Sequence, residues 1–291
     1  MTDVTASPSR RRLSFEWLGV APFIIFAVMF LILPTLYLIG AAFVGRDGQF
    51  TFDNITALFT DSIMAAYWIS IRISGASAIL GALIGLAIAL AIIRGRLPAG
   101  LRSAVMTFSG VASNFAGVPL AFAFLATFGR LGLVTLILRD WFGINIYGMG
   151  FNILSFSGLT LTYLFFQIPL MILIVTPALD GLKREWGEAA AILGATRFQY
   201  WRMVALPILW PTLLGTFALL FANAFGAVAT AYALTGSSLS IVPILLFAQI
   251  RGDVLQDPHL GYALAFGMIV ITGIANFIYI WLRSRAERWI K

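Results

Sequence analysis

The sequence predicts an all-α integral membrane protein with six transmembrane helices. Three observations carry this: charged residues too few to cover a water-facing surface, six apolar runs of membrane-spanning length, and basic residues gathered between those runs on one side. Of 291 residues, 60% are hydrophobic and 11% charged, with a mean hydropathy of +0.96. A soluble domain carries about 25% charged residues, so lipid must be the solvent for much of this chain. There is no cysteine and a single histidine, His259, which excludes disulfide frameworks and Cys- or His-rich metal sites. The net charge of +7 sits in short clusters between apolar runs, as membrane topology demands, and does not indicate nucleic acid.

A crossing helix needs about 20 mostly apolar residues. The runs that qualify are 17–44, 68–93, 101–128, 152–178, 204–235 and 261–282. They are helices because a sheet edge in hydrocarbon would leave backbone groups unpaired. Ahead of the first, Ser9-Arg-Arg-Arg-Leu-Ser-Phe15 has the outline of a twin-arginine export signal. The apolar run behind it continues through Phe43, longer than the apolar region of a signal peptide, so the arginines are read as holding the N-terminus inside. With that orientation the inner side collects Arg10, Arg11, Arg12, Arg94, Arg96, Arg102, Lys183, Arg184, Arg197, Arg202, Arg283, Arg285, Arg288 and Lys291, 14 of the 19 basic residues. The outer side holds Arg46, Arg72, Arg130, Arg139 and Arg251 with the acids Asp47, Asp53, Asp61, Asp140, Asp253 and Asp257. The positive-inside rule then places both termini in the cytoplasm. The tails are 1–16 and 283–291, around one membrane domain, 17–282.

The outer connections are longer than tight turns. Residues 45–67 begin Gly45-Arg-Asp-Gly48, residues 129–151 read as a short helix from Leu131 to Phe142 closed by Gly143, and residues 236–260 hold an apolar piece from Ile241 to Ile250. They are expected to receive a partner or cover a cavity. Arg72, near the outer end of the second run, is read as an interfacial anchor whose long stem snorkels.

One inner loop stands apart, Trp186-Gly-Glu-Ala-Ala-Ala-Ile-Leu-Gly-Ala-Thr-Arg-Phe-Gln-Tyr-Trp-Arg-Met-Val-Ala-Leu-Pro207. Glu188 is expected to open a short helix, where a carboxylate favours the positive dipole end. Ala189 and Ala190 give a small, strongly helical surface, and Gly194 permits a sharp break before Ala195. Phe198, Tyr200 and Trp201 follow on a second piece, and Pro207 suits the first turn of the next span. Glu-Ala-Ala, three residues, Gly, nine residues, Val, one residue, Leu-Pro resembles the EAA loop of type I ABC importer permeases, in both pattern and place. The resemblance implies the six-span fold of that family, with the loop at about 180–203 as a coupling helix. Its partner would be a dimer of cytoplasmic ATP-binding subunits, to which ATP and magnesium would bind. It further implies a second, homologous permease subunit and an extracytoplasmic solute-binding protein. The chain has no Gly-x-x-x-x-Gly-Lys-Ser/Thr phosphate loop of its own and is expected to be neither an enzyme nor a cofactor carrier.

No span carries an acid or lysine near its centre, which argues against an ion-coupled secondary transporter, and scattered acids argue against a membrane enzyme. The uncharged polar residues Asn114 (before Gly117 and Pro119), Tyr163, Gln167 (beside Pro169) and Asn223 are the candidates for a substrate pathway, since broken helices lining a cavity carry such groupings. Pro34-Thr-Leu-Tyr-Leu, Phe52-Asp-Asn-Ile and the C-terminal half look most like polyamine permeases, whose relatives serve opines, aminophosphonates and ferric iron. Asn223-Ala-Phe-Gly226 stands where many relatives have Gly-Glu-Phe-Gly, so a cation's carboxylates would have to come from the sister subunit.

Overall fold

The structure is a computed structural model that describes residues 16–95, 98–251 and 258–287. Arg10 to Arg12, Arg96, Asp253, Asp257, Arg288 and Lys291 lie outside the described residues. Among the described residues, six helical stretches are long and apolar enough to cross a membrane.

The first is a rod of α1 (Glu16–Ala27), a wide π-type turn (Val28–Ile32) and α2 (Leu33–Ala41). The wide turn precedes Pro34, and Leu33 N–H reaches back to the Val28 carbonyl. A second such turn, Trp201–Ala205, precedes Pro207, with Leu206 N–H reaching Trp201. A proline inside a helix lacks one N–H, and its ring crowds the carbonyl four residues back. An extra residue in the preceding turn moves that carbonyl aside. Pro207 stands in the first turn of α11 (Leu206–Phe225), as expected from sequence, but the helix does not begin there. Its helical rod begins at Arg197, and the wide turn accommodates the ring.

The centre of the molecule is α4 (Asp61–Arg94) against α8 (Phe156–Asp180). They close along Ser77, Gly81, Gly85 and Ala89, all buried, small residues that let two membrane helices approach. The helix α11 (Leu206–Phe225) packs across both, and α14 (Pro258–Glu287) packs on α11. The first rod lies outermost, meeting α14 edge-on through Tyr37 and Tyr262 (ring centroids 6.2 Å apart). Its apolar residues stay exposed, as lipid-facing side chains must. At about 1.5 Å per residue, α4 is longer than the hydrocarbon is thick, because it starts at Asp61 and not near residue 68. Arg72 thus sits about three turns into it, and its guanidinium lies 5.3 Å from the Phe156 ring centroid at the start of α8.

At this end of the bundle, Asn54 of α3 (Asp53–Ala57) donates to the carbonyls of Ala42 and Val44 at 3.1 and 2.9 Å. Phe43, Phe50, Phe52 and Phe266 cluster above it. The short helices α7 (Leu133–Phe142), closed by Gly143 as expected, and α13 (Val242–Arg251) lie across the same end. Val242 N–H donates to Ser70 at 2.9 Å and Tyr67 to the Leu264 carbonyl at 2.7 Å, which ties α13 and α14 to α4.

Two expected spans are not single helices. The run 101–128 is α5 (Ala99–Ala112) and α6 (Val118–Phe128), interrupted at 113–117. The run 204–235 is α11 and α12 (Val228–Thr235), interrupted at Gly226-Ala227. Neither interruption shortens the hydrophobic pattern, so length alone joins the pieces.

Candidate functional site

The two interruptions face each other. Gly117 has φ of +77°, a conformation that costs little only without a Cβ, and Pro119 then starts α6 with the preset φ favoured in a first turn. On the other side Ala227 turns with φ −77° and ψ 55°, and Val228 N–H bonds the Gly226 carbonyl at 2.8 Å, an inverse γ-turn. Gly117 N–H donates to Thr230 Oγ1 at 2.6 Å, and Tyr163 donates to the Ala227 carbonyl at 3.2 Å. These bonds hold both breaks in register.

Between them lies a cavity of about 430 Å³, lined by Ser113, Asn114, Phe166, Asn223, Thr230 and the backbone of both breaks. Asn114 Nδ2 bonds the Gly110 carbonyl at 3.0 Å, while Asn223 has no hydrogen-bond partner among the described residues. Both are exposed in the single chain. The first turn of α12 and Gly117, the N-cap of α6, border the cavity, and so do the C-terminal ends of α5 (Ser113, Asn114) and α11 (Ala222, Asn223), so that positive and negative ends of helix dipoles both meet it. No charged side chain lines it.

Of the four pathway candidates, the structure brings Asn114 and Asn223 to this cavity and leaves the other two off it. Gln167 is fully buried and donates to Ser77 Oγ at 2.9 Å, a bond between α8 and α4. Tyr163 is buried behind the break and spends its hydroxyl on Ala227. Thr230 and Phe166 were not among the candidates. Thr230 lies four residues past Gly226, so a hydroxyl just beyond a helix break is the signal that would have found it.

At the opposite end stands the loop. Its first helix, α9 (Arg184–Ile192), begins four residues before Glu188. The first-turn acid is Glu185, and Glu188 instead pairs with Arg184 at 3.0 Å. Gly194, at φ +79°, ends the helix. Gly194 N–H bonds Ala191 and Ala195 N–H bonds Ala190, the paired closure of a Schellman motif. Thr196 and Gln199 cap α10 (Arg197–Tyr200) reciprocally, at 3.3 and 2.7 Å, the arrangement of a capping box. Glu188, Ala189, Gly194 and Phe198 are exposed and Ala190 and Ala195 half-buried. Tyr200 and Trp201 turn back toward the spans, and Arg94 of α4 lies 4.1 Å over the Trp201 ring. The aromatic trio is thus not one surface. Ile192 and Leu193, which sequence reasoning passed over, are each 86% exposed beside Gly194. Two bulky apolar residues directly before a helix-ending glycine were the available signal.

A bundle of membrane helices with two broken helices around a polar cavity, and a rigid two-helix loop displaying apolar side chains at its far end, defines a transport subunit. The chain belongs to the family of binding-protein-dependent transport system inner membrane components, whose model matches residues 81–291, a stretch that holds both breaks and the loop. It is 25% identical over 285 residues to a probable sulfate transport system permease protein of Zygnema circumcarinatum, covering 93% of this chain and 90% of that one. It is 27% identical over 221 residues to a molybdenum transport system permease protein of Mycobacterium tuberculosis, covering 74% and 78%. A spermidine/putrescine transport system permease protein of Haemophilus influenzae is 23% identical over 272 residues, covering 91% and 93%. In fold it is similar to a bacterial alginate ABC transporter solved in complex with an alginate pentasaccharide-bound periplasmic protein, with a TM-score of 0.68 at 20% identity over 95% of each chain. This is therefore a multi-pass inner membrane protein, the permease component of a binding-protein-dependent ABC importer.

Proposed function

We propose that the chain forms one wall of a pathway for a small oxyanion of the sulfate or molybdate kind. The observation that carries the substrate class is the 430 Å³ cavity, where the N-terminus of α12, the N-cap of α6, amides and hydroxyls meet and no carboxylate stands among the described lining residues. Half-helix N-termini favour anionic groups. The relatives named for sulfate and molybdenum support the same reading. A polyamine is the second reading, favoured by the nearly full-length likeness to a spermidine/putrescine permease; it requires carboxylates from another subunit, because Ala224 stands where the Gly-Glu-Phe-Gly pattern has its acid.

The charge asymmetry of the sequence supports α9 and both termini on the cytoplasmic side, with the cavity reached from the other side by a solute-binding protein. An ATPase on a separate chain, carrying ATP and magnesium, docks on Ile192, Leu193, Phe198 and the Glu188–Ala190 face. Asn114 and Asn223 remain exposed in the single chain, so a second, homologous permease completes the pathway.

The test is uptake of labelled sulfate, molybdate and putrescine into proteoliposomes holding the complete importer and its binding protein. We expect ATP-dependent uptake of an oxyanion. A hydrogen bond to a charged group contributes about 1.5–3 kcal/mol, so Asn114→Leu with Asn223→Leu should lower uptake per transporter at least about tenfold. Gln167→Leu should instead lower the amount of assembled protein. Putrescine uptake without oxyanion uptake would replace the first reading by the second.

A further inference from the structure

A second cavity, of about 240 Å³, lies at the α9 end of the bundle. Its walls are of two kinds. Leu90 and Ile93 from the last turns of α4, with Leu179 from the last turn of α8 and Leu182 just beyond it, continue the apolar surface of the spans. Arg94, Lys183 and Arg184 line the rest with Gly187, Tyr200 and Trp201, and no carboxylate stands among the described lining residues. The nearby acids are committed elsewhere: Asp180 pairs with Arg102 of α5, and Glu188 holds Arg184 from the exposed side. Arg197 is close enough to Arg94 for their like charges to repel. The indole Nε1 of Trp201, which lines the cavity, is buried with no hydrogen-bond partner. A buried donor without an acceptor is costly, and Arg94 and Lys183, which have no carboxylate partner among the described residues, invite an anion beside the Arg184–Glu188 pair.

We infer that this cavity is a binding site for the headgroup of an anionic phospholipid. The phosphate would lie among Arg94, Lys183 and Arg184 and face the first turn of α9, whose N-cap Lys183 supplies no side-chain acceptor. The acyl part would continue along Leu90 and Ile93. This division into apolar wall and basic rim at the end of a span is what a lipid presents and recognises; basic pockets between helices on the cytoplasmic side take such headgroups. Free phosphate would leave the apolar wall in water. An acidic side chain of the ATPase would have to enter behind the half-buried Gly187 face of α9, whereas Ile192 and Leu193 offer that partner the other, exposed one. A seated headgroup joins α9 and the Trp201 turn to the ends of α4 and α8, so anionic lipid sets how firmly the coupling loop is held. The site is independent of which solute is carried.

The experiment is native mass spectrometry of the complete importer released from nanodiscs of phosphatidylcholine alone or with phosphatidylglycerol. A bilayer disc offers lipid on both sides, so the outcome does not depend on topology. The expected result is preferential retention of phosphatidylglycerol. Lys183→Gln, at an exposed N-cap that leaves the fold intact, should lower that preference about fivefold, and Arg94→Gln with Lys183→Gln by a further factor of about five. Arg202→Gln, an exposed charge outside the cavity, should leave it unchanged. The proposal fails if phosphatidylglycerol is not preferred, or if Arg202→Gln reduces retention as much as Lys183→Gln. It fails too if inorganic phosphate added to phosphatidylcholine discs gives the same stabilisation, which makes the site one for the free ion. Retention by the permease chains that disappears on assembly with the ATPase would assign the cavity to an acidic partner side chain.

Discussion

Aspartate at both Ile192 and Leu193 will release the ATPase from the permease and stop transport, while the quantity of folded, inserted permease stays the same. Each side chain is 86% exposed, so no packing inside the chain is lost on substitution. An apolar side chain of this size contributes about 1.5–3 kcal/mol when fully buried. Two of them at the tip of a loop closed by Gly194 therefore supply about 3–6 kcal/mol of docking, and a carboxylate in their place adds a desolvation cost. An affinity loss of about 10²-fold or more follows. Co-purification of the ATPase with the membrane fraction and ATP-dependent uptake are the measurements. Undiminished co-purification and uptake would take the docking role away from this loop.

Leucine at Gly85 will remove most of the folded protein from the membrane. A Cβ there would stand 2.6 Å from Met171 Cβ and 2.9 Å from the Ile168 carbonyl oxygen, so backbone as well as side chain must move. Overpacking of this kind costs about 1–3 kcal/mol where a core can give, and more where two backbones touch. Prising α4 from α8 also breaks the Gln167–Ser77 bond two turns along. Total stabilities of about 5–15 kcal/mol leave little reserve. Gly75→Ala is the companion variant: it lies on the same helix with no atom within 4 Å of its Cβ, and it should leave yield and melting temperature in detergent unchanged. Equal yields of the two variants would show that the small-residue seam is not what holds the pair.

The span count and the loop were legible because both are local patterns. An apolar run of about 20 residues has one use, and Glu188, Gly194 and Pro207 carry their spacing along the chain. The breaks at Gly117 and Gly226 could also be anticipated, because large amides beside glycine and proline have few other reasons to sit in a span. Gln167 meets the same rule beside Pro169 and lies elsewhere. Its direction is set by the rotation of α8 against α4, which depends on how closely Gly81 and Gly85 let the helices meet. Trp201 likewise reads as a loop aromatic until Arg94, more than a hundred residues away, is seen against its face. Glu188 was placed at a helix start because Glu-Ala-Ala opens the pattern, yet Lys183 and Arg184 carry the helix back another turn.

The bond from Gly117 N–H to Thr230 Oγ1 bears on how many gates the pathway has. It fastens the interruption between α5 and α6 to the one after α11, so neither can swing alone without giving up a short hydrogen bond. The second interruption is the far end of the continuous helical rod that starts at Arg197, directly after α9 and Gly194. Movement imposed on the α9 loop would therefore be shared by both interruptions, as by the leaves of one door on a shared latch.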